Sequence, residues 1–203
     1  WEKVQPTNNK VWSPRRSFGC VVFKKKIWVF GGYDERLLND VWSSPDGVNW
    51  TLETNNPSWS PRFLIAATTF TLAPSINQIW ICGGSNEKGP TNEVYYTDDG
   101  IHWSQWTTTS IPWTPRGQAL FQQIGDSLWL MGGNVSTLAV FRDVWSLDPR
   151  LGRWTLYIDE VPWGGKSTAA PATSVVFNGL MWMMGSNLRL LDVNRDIWNF
   201  LPR

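Results

Sequence analysis

Arg15, Arg62 and Arg116 each end the same four-residue unit: Trp12-Ser13-Pro14-Arg15, Trp59-Ser60-Pro61-Arg62 and Trp113-Thr114-Pro115-Arg116. A decayed fourth copy reads Trp163-Gly164-Gly165-Lys166. Four acids recur in step with these cations: Asp40, Glu93, Asp143 and Asp196, each just before an apolar–aromatic pair. Two kinds of chemistry follow. Matched in number and position, cations and acids form structural ion pairs, which tolerate partial burial when both partners are present. Left open to solvent, four cations in a ring would attract an acidic peptide, a carboxylate sugar or phosphate, and the Arg forks would add bidentate hydrogen bonds.

Catalytic chemistry finds less support. The chain has one histidine, His102. Copper and zinc centres built on histidines need more than one. A Ser-His-Asp triad would depend on His102 alone, and nothing near it in the sequence argues for one. No pair of acids stands apart from the repeating set as a glycosidase requires. Binding rather than catalysis is the expectation, with no cofactor and no metal.

The elements that must position these side chains are visible in a second recurring unit. Trp28-Val29-Phe30-Gly31-Gly32 returns as Trp80-Ile81-Cys82-Gly83-Gly84, as Trp129-Leu130-Met131-Gly132-Gly133 and, degraded, as Trp182-Met183-Met184-Gly185-Ser186. Units about fifty residues apart mark a repeat architecture. Each is a short apolar strand closed by glycines, which tolerate positive φ and close backbone approach. Around each lie three more strand-like stretches. In the first repeat these are 17–23, Asp40 to Ser44 and Asn49 to Leu52, with turns at Lys24-Lys25-Lys26 and at the hairpin-type Asp46-Gly47. No helical period is present. Four short strands joined by turns make one antiparallel sheet, and four such sheets make an all-β propeller.

The expected organisation is one domain over 1–203, with blades near 17–54, 63–107, 117–158 and 172–200. Trp1-Glu2-Lys3-Val4-Gln5 resembles the closing strand Trp50-Thr51-Leu52-Glu53-Thr54. Pairing 1–5 beside Asp196 to Phe200 would supply the fourth blade's last strand and close a four-bladed ring. Alternatives are a part of a larger propeller, or an eight-bladed ring made by two chains, with self-association if the ring is incomplete. The Arg unit precedes the innermost strand of each blade, which places Arg15, Arg62, Arg116 and Lys166 at one mouth of the central channel. The loops after the glycines carry Tyr33 and Arg36, Phe141, and Arg189, and are the variable part. Trp59, Trp113 and Trp163 lie in loops; if exposed, they would suit sugar stacking or an interface anchor. The strand Trp residues are blade-to-blade packing.

Composition sets outer bounds. The 203 residues are 42% hydrophobic and 17% charged, which is globular rather than disordered. A net charge of +1 gives no reason to expect nucleic acid. No apolar run has the length of a membrane helix. Cys20 and Cys82 are read as small core residues, with an inter-blade disulfide in a secreted protein as the alternative. The sequons at Asn49 and Asn134 are compatible with an extracellular or cell-surface setting, and the start at Trp1 leaves room for a leader or a longer N-terminus.

These repeats resemble the kelch family, whose pattern is an apolar strand, a strand ending in Gly-Gly, a variable loop, a third strand with an aromatic and a last strand with Trp. The resemblance covers essentially the whole chain, although four repeats are fewer than the family's usual five to seven blades. It implies a non-catalytic module that binds a protein or acidic peptide through loops on one face, some members using arginines at this motif. A carbohydrate-binding propeller is the alternative, and a sugar-modifying enzyme such as a sialic-acid mutarotase a more distant one. Ser44-Pro45-Asp46-Gly47-Val48-Asn49-Trp50 and Thr97-Asp98-Asp99-Gly100-Ile101-His102-Trp103 resemble the Asp-box turn of sialidases, one residue short.

Overall fold

The computed structural model describes residues 1–6, 11–72, 75–107, 110–136, 139–161, 171–189 and 192–202; for 171–173, 185–189 and 192–196 only the backbone is described. Every regular element among them is a strand. The first sheet joins β1 (Gly19–Phe23), β2 (Lys26–Tyr33), β3 (Leu37–Ser44) and β4 (Thr51–Thr54) in chain order. The second joins β5 (Ala66–Leu72) and β6 (Ile76–Cys82), then, past the small ladder of β7 (Ser85–Asn86) and β8 (Gly89–Pro90), β9 (Val94–Thr97) and β10 (Ser104–Gln105). The third joins β11 (Leu120–Ile124) and β12 (Ser127–Met131), then, past the ladder of β13 (Asn134–Ser136) and β14 (Ala139–Val140), β15 (Val144–Asp148) and β16 (Arg153–Ile158). The fourth is three-stranded: β17 (Pro171–Phe177), β18 (Leu180–Arg189) and β19 (Asp192–Phe200). All neighbouring strands are antiparallel.

Turn chemistry explains the hairpins. Phe23 pairs with Lys26, so Lys24 and Lys25 alone make the β1–β2 turn, and both have positive φ. That is the geometry that lets a two-residue turn follow the twist of its strands. Asn178-Gly179 does the same between β17 and β18 with residues better suited to it. The Asp46-Gly47 connection is longer than a two-residue hairpin. Residues 45–50 form one looped turn, and β4 begins only at Thr51. The Asp46 carboxylate accepts from the Val48 and Asn49 amides, and the Trp50 indole donates to the Gly47 carbonyl.

The sheets stack face to face. The side of the first sheet that carries Phe23, Trp28, Phe30 and Val41 packs on the side of the second that carries Ile79, Ile81 and Tyr95. Phe70, Trp80 and Val94 of the second pack on Phe121, Leu128 and Leu130 of the third. Ile124, Trp129 and Val144 of the third pack on Met181, Met183 and Phe200 of the fourth. The innermost strands β1, β5, β11 and β17 follow one another in that order. No comparable contact joins β17 back to β1 among the described residues.

One expectation is corrected here. Trp1 to Gln5 form no strand and are exposed, and β19 has no strand on its outer edge among the described residues. A single strand is held by edge pairing, and where no edge pairs with it the segment stays irregular.

Candidate functional site

The repeating Arg unit and the repeating Gly pair meet in three dimensions. Pro at the third position of the unit restricts the backbone just before the Arg. In each described copy the Arg folds back, and its Nε donates to the carbonyl two residues earlier: Ser13, Ser60 or Thr114. Its terminal nitrogens reach two targets in its own blade. One is the carbonyl of the first glycine, at 3.0 Å for Arg15–Gly31, 3.1 Å for Arg62–Gly83 and 2.9 Å for Arg116–Gly132. The other is the repeating acid, at 2.6 Å for Arg15–Asp40 and 2.5 Å for both Arg62–Glu93 and Arg116–Asp143. Arg15 and Arg116 grip their Asp through both carboxylate oxygens.

For Arg62 and Arg116 the backbone is bonded to the preceding blade. The second glycine of one blade donates to the Arg carbonyl of the next, Gly32 to Arg62 at 2.8 Å and Gly84 to Arg116 at 2.9 Å. This requires glycine at the turn. Gly83 has φ +64, and a Cβ there would stand 2.4 Å from the Arg116 carbonyl oxygen. Arg62 and Arg116 therefore each bind their own blade through the side chain and the preceding blade through the main chain.

The consequence for the cation ring is direct. The Arg15, Arg62 and Arg116 side chains are at most 1% exposed, and every one is matched to an acid. They do not line an open mouth. A guanidinium buried this deeply needs its carboxylate, since an unpaired buried charge is costly. Burial by itself would raise the Asp40 carboxyl, but the hydrogen bonds from Arg15 and Trp42 and the Arg15 charge outweigh it and hold the group below the usual carboxylate range. Lys166 and Trp163 lie outside the described residues, as does the side chain of Arg189.

The loop tryptophans are corrected in the same way. Trp59 and Trp113 are 1% exposed. Trp59 meets Trp103 edge-on at 5.8 Å, and Trp113 meets Trp154 edge-on at 5.7 Å. They wedge against the closing tryptophan of a blade and, buried there, present no face for sugar stacking. Trp106, which falls outside the repeat pattern, fills the second blade against Trp80 and Tyr96. Phe141 lies over the Arg116 guanidinium at 3.9 Å and helps cover it.

What remains open at this end of the molecule is a corner where two of the expected loop residues, Tyr33 and Arg36, stand near Arg16 and Phe63, which the sequence reading did not single out. Arg16, next to the buried Arg15, is exposed and lies over the Tyr33 ring at 5.0 Å. Tyr33 in turn meets Phe63 of the next blade at 6.0 Å. Arg16 and Tyr33 line a shallow groove of about 500 Å³ together with Ser13, Pro14, Arg15, Asp34 and Glu35. Arg36 stands at its rim, 81% exposed. The residue after this position is unusual in three blades: Ser17, Leu64 and Gln118 all have φ near +55, a region that disfavours side chains as bulky as Leu. They are linked across blades, Leu64 N–H to the Ser17 carbonyl and Gln118 N–H to the Leu64 carbonyl. Aligning the repeats on the Arg unit would have marked both positions, since each lies one or two residues past it.

The remaining chemistry-bearing groups are accounted for structurally. His102 lies in the turn before β10, and its ring contacts the Asp99 carboxylate at 2.7 Å. Burial would raise Asp99, but that contact and the His102 and Ile101 amides outweigh it and hold the carboxyl far below its ordinary value. Asp46 is held down likewise, chiefly by the Asn49 amide. Both cysteines are free thiols, Cys82 buried and Cys20 exposed, so Cys20 is not a core residue and no bridge joins the two. Burial pushes the Cys82 thiol far up, against the opposing charges of Arg116 and Arg62. Among the described residues no helix is long and apolar enough to cross a membrane.

A family model described as the KLHDC2/KLHL20/DRC7 Kelch-repeats domain matches residues 1–185. A search of curated proteins finds no match.

Proposed function

The chain belongs to the kelch-repeat family, and from that premise we propose that it is a non-catalytic module that recognises a protein or peptide partner through the loops at the glycine-pair end of its blades. Kelch-repeat domains are generally protein-interaction modules. The observation that carries the reading is the open corner formed by Arg16, Tyr33 and Phe63, with Arg36 beside it. Aromatic and Arg side chains are the groups most often found at the energetic centre of an interface. Here two blades supply them, next to a groove, on a scaffold whose own arginines are tied down. Contact falls to the loop residues and not to Arg15, Arg62 and Arg116, because freeing a buried guanidinium would first break its ion pair. The chemistry of Arg16 and Arg36 favours a partner that offers a carboxylate beside an apolar side chain.

A displayed random-peptide library selected against the chain tests this. The expected result is a family of acidic, aromatic-containing peptides whose binding is lost in an Arg16→Ala/Tyr33→Ala double variant and weakened by Arg36→Ala. Peptides that bind the double variant as well as the unchanged chain would refute the assigned corner.

A further inference from the structure

Just past the Arg unit, each of the first three blades carries one further backbone bridge. Arg16 pairs with Tyr33, Phe63 with Ser85 and Gly117 with Asn134. The backbone repeats while the side chains differ, so each blade offers one pair of variable positions at this rim. In the third blade one of the two is glycine. Its φ is not in the left-handed region, so the backbone does not require glycine there. Space does: a Cβ on Gly117 would stand 2.9 Å from the Leu64 Cβ.

The room left by that missing side chain belongs to a groove of about 250 Å³ between the second and third blades. Phe63, Leu64, Pro90 and Val135 give it apolar walls, Gln118 and Asn134 give it amides, and no lining residue is charged. Sites for drug-sized ligands run to about 300–1,000 Å³, so this one suits a single side chain. The second and third blades each pack on a further described blade, so the groove owes nothing to the outer faces of the stack.

Its polar end is held in place. The Gln118 amide N–H donates to the Leu64 carbonyl at 2.9 Å, and Asn134 and Gly117 exchange both main-chain hydrogen bonds at 2.9 Å. The Asn134 Nδ2 donates to the Gln118 Oε1 at 3.1 Å. A pair of carboxamides joined by one such bond leaves an NH₂ group and a carbonyl side by side. Here these are the Gln118 Nε2 and the Asn134 Oδ1, which have no other partner among the described residues.

We infer that this groove takes the carboxamide of a Gln or Asn side chain of the partner peptide, as a second subsite beside the Arg16–Tyr33 corner; this rests on the peptide-binding reading. A primary amide offers a carbonyl to the Gln118 NH₂ and an NH₂ to the Asn134 carbonyl. A carboxylate has no donor for Asn134, and an ammonium has no acceptor for Gln118. A polar group left without its partner makes the site reject the wrong side chain. Phe63 connects the two subsites, since its ring meets Tyr33 at 6.0 Å and also walls the groove. An extended chain advances about 3.3–3.6 Å per residue, so it crosses a single ring in about two to four residues.

A displayed random-peptide library, selected in parallel on the unchanged chain, on Gln118→Lys and on the Arg16→Ala/Tyr33→Ala variant, tests this. Peptides from the unchanged chain are expected to carry Gln or Asn at one fixed position. Changing that Gln to Glu in a synthetic copy should weaken binding at least about tenfold. Gln118→Lys turns the pair into two donors, so its selected peptides should carry Glu or Asp at that position. Gln118 is exposed, so the substitution leaves the fold intact, which circular dichroism checks. Should it fail to fold, Asn134→Asp replaces it, and the preference should then move to Lys. Selected peptides without an amide preference, or a preference unmoved by the substitution, overturn the inference even where the corner still selects acidic residues. An amide preference that persists on the Arg16→Ala/Tyr33→Ala variant with undiminished affinity refutes the corner and leaves the groove standing. A selection that yields no binder overturns both.

Discussion

At the scale of single residues, the arginines separate structure from recognition. Arg62 is fully buried; its side chain satisfies the Gly83 carbonyl and Glu93, and its own carbonyl receives Gly32. Replacing it with Ala leaves an acid and a carbonyl without their donor, so Arg62→Ala is expected to cost about 3–5 kcal/mol. Arg62→Lys should recover little, since an ammonium cannot reproduce the fork that reaches several acceptors at once. Arg150 is the control. It contacts Asp126 and Asp148 in solvent, and Arg150→Ala should leave the unfolding midpoint close to that of the unchanged chain. Urea titrations of the three variants decide this; equal midpoints for Arg62→Ala and Arg150→Ala would show that the buried pair does not hold the blades together.

At the scale of elements, the first hairpin is built on unsuitable residues. Lys24 and Lys25 both take positive φ, at 47° and 61°. Side chains in that region cost about 1–2 kcal/mol per residue. Part of this is offset, because the Lys24 ammonium donates to the Asp98 carbonyl at 2.6 Å and so links the turns of two blades. Asn178-Gly179 shows what the turn prefers. Lys24→Asn with Lys25→Gly is therefore expected to raise the melting temperature by about 2–4 °C, the shift that ~1 kcal/mol produces in a domain of this size. Calorimetry measures it. A lower melting temperature would mean that the Lys24–Asp98 link outweighs the backbone strain.

At the scale of the whole molecule, stability follows position in the stack. A blade in the middle buries both faces, and a terminal blade buries one. In repeat architectures each unit depends on its neighbours as much as on itself. Amide exchange should be slowest in β6, flanked on both sides, and faster in β17 and β18, whose sheet leaves Val175 and Phe177 uncovered. Exchange followed by mass spectrometry on the 203-residue chain tests this. Uniform protection across all four blades would show that they unfold as one unit with closed ends.

Much of the fold was legible in the sequence because its causes are local. Alternating apolar residues, Gly-Gly pairs and turn residues act within a few positions, and their return about every fifty residues marked four antiparallel sheets and the kelch pattern. The pairing of each Arg with its acid was legible too, since both recur at fixed repeat positions. Burial was not. Whether Trp59 faces solvent depends on Trp103, far along the chain, and whether Arg62 is open to a ligand depends on Gly83 and Glu93 folding over it. The Arg16–Tyr33–Phe63 corner joins two blades, so no single repeat contains it. The fate of residues 1–5 was equally out of reach: their strand-like composition is local, but a strand exists only where an edge pairs with it. The sequence by itself determined the blade and its repetition; the tertiary structure alone decided which side chains are consumed in joining blades and which are left to meet a partner, because burial is a property of neighbours brought together across the chain.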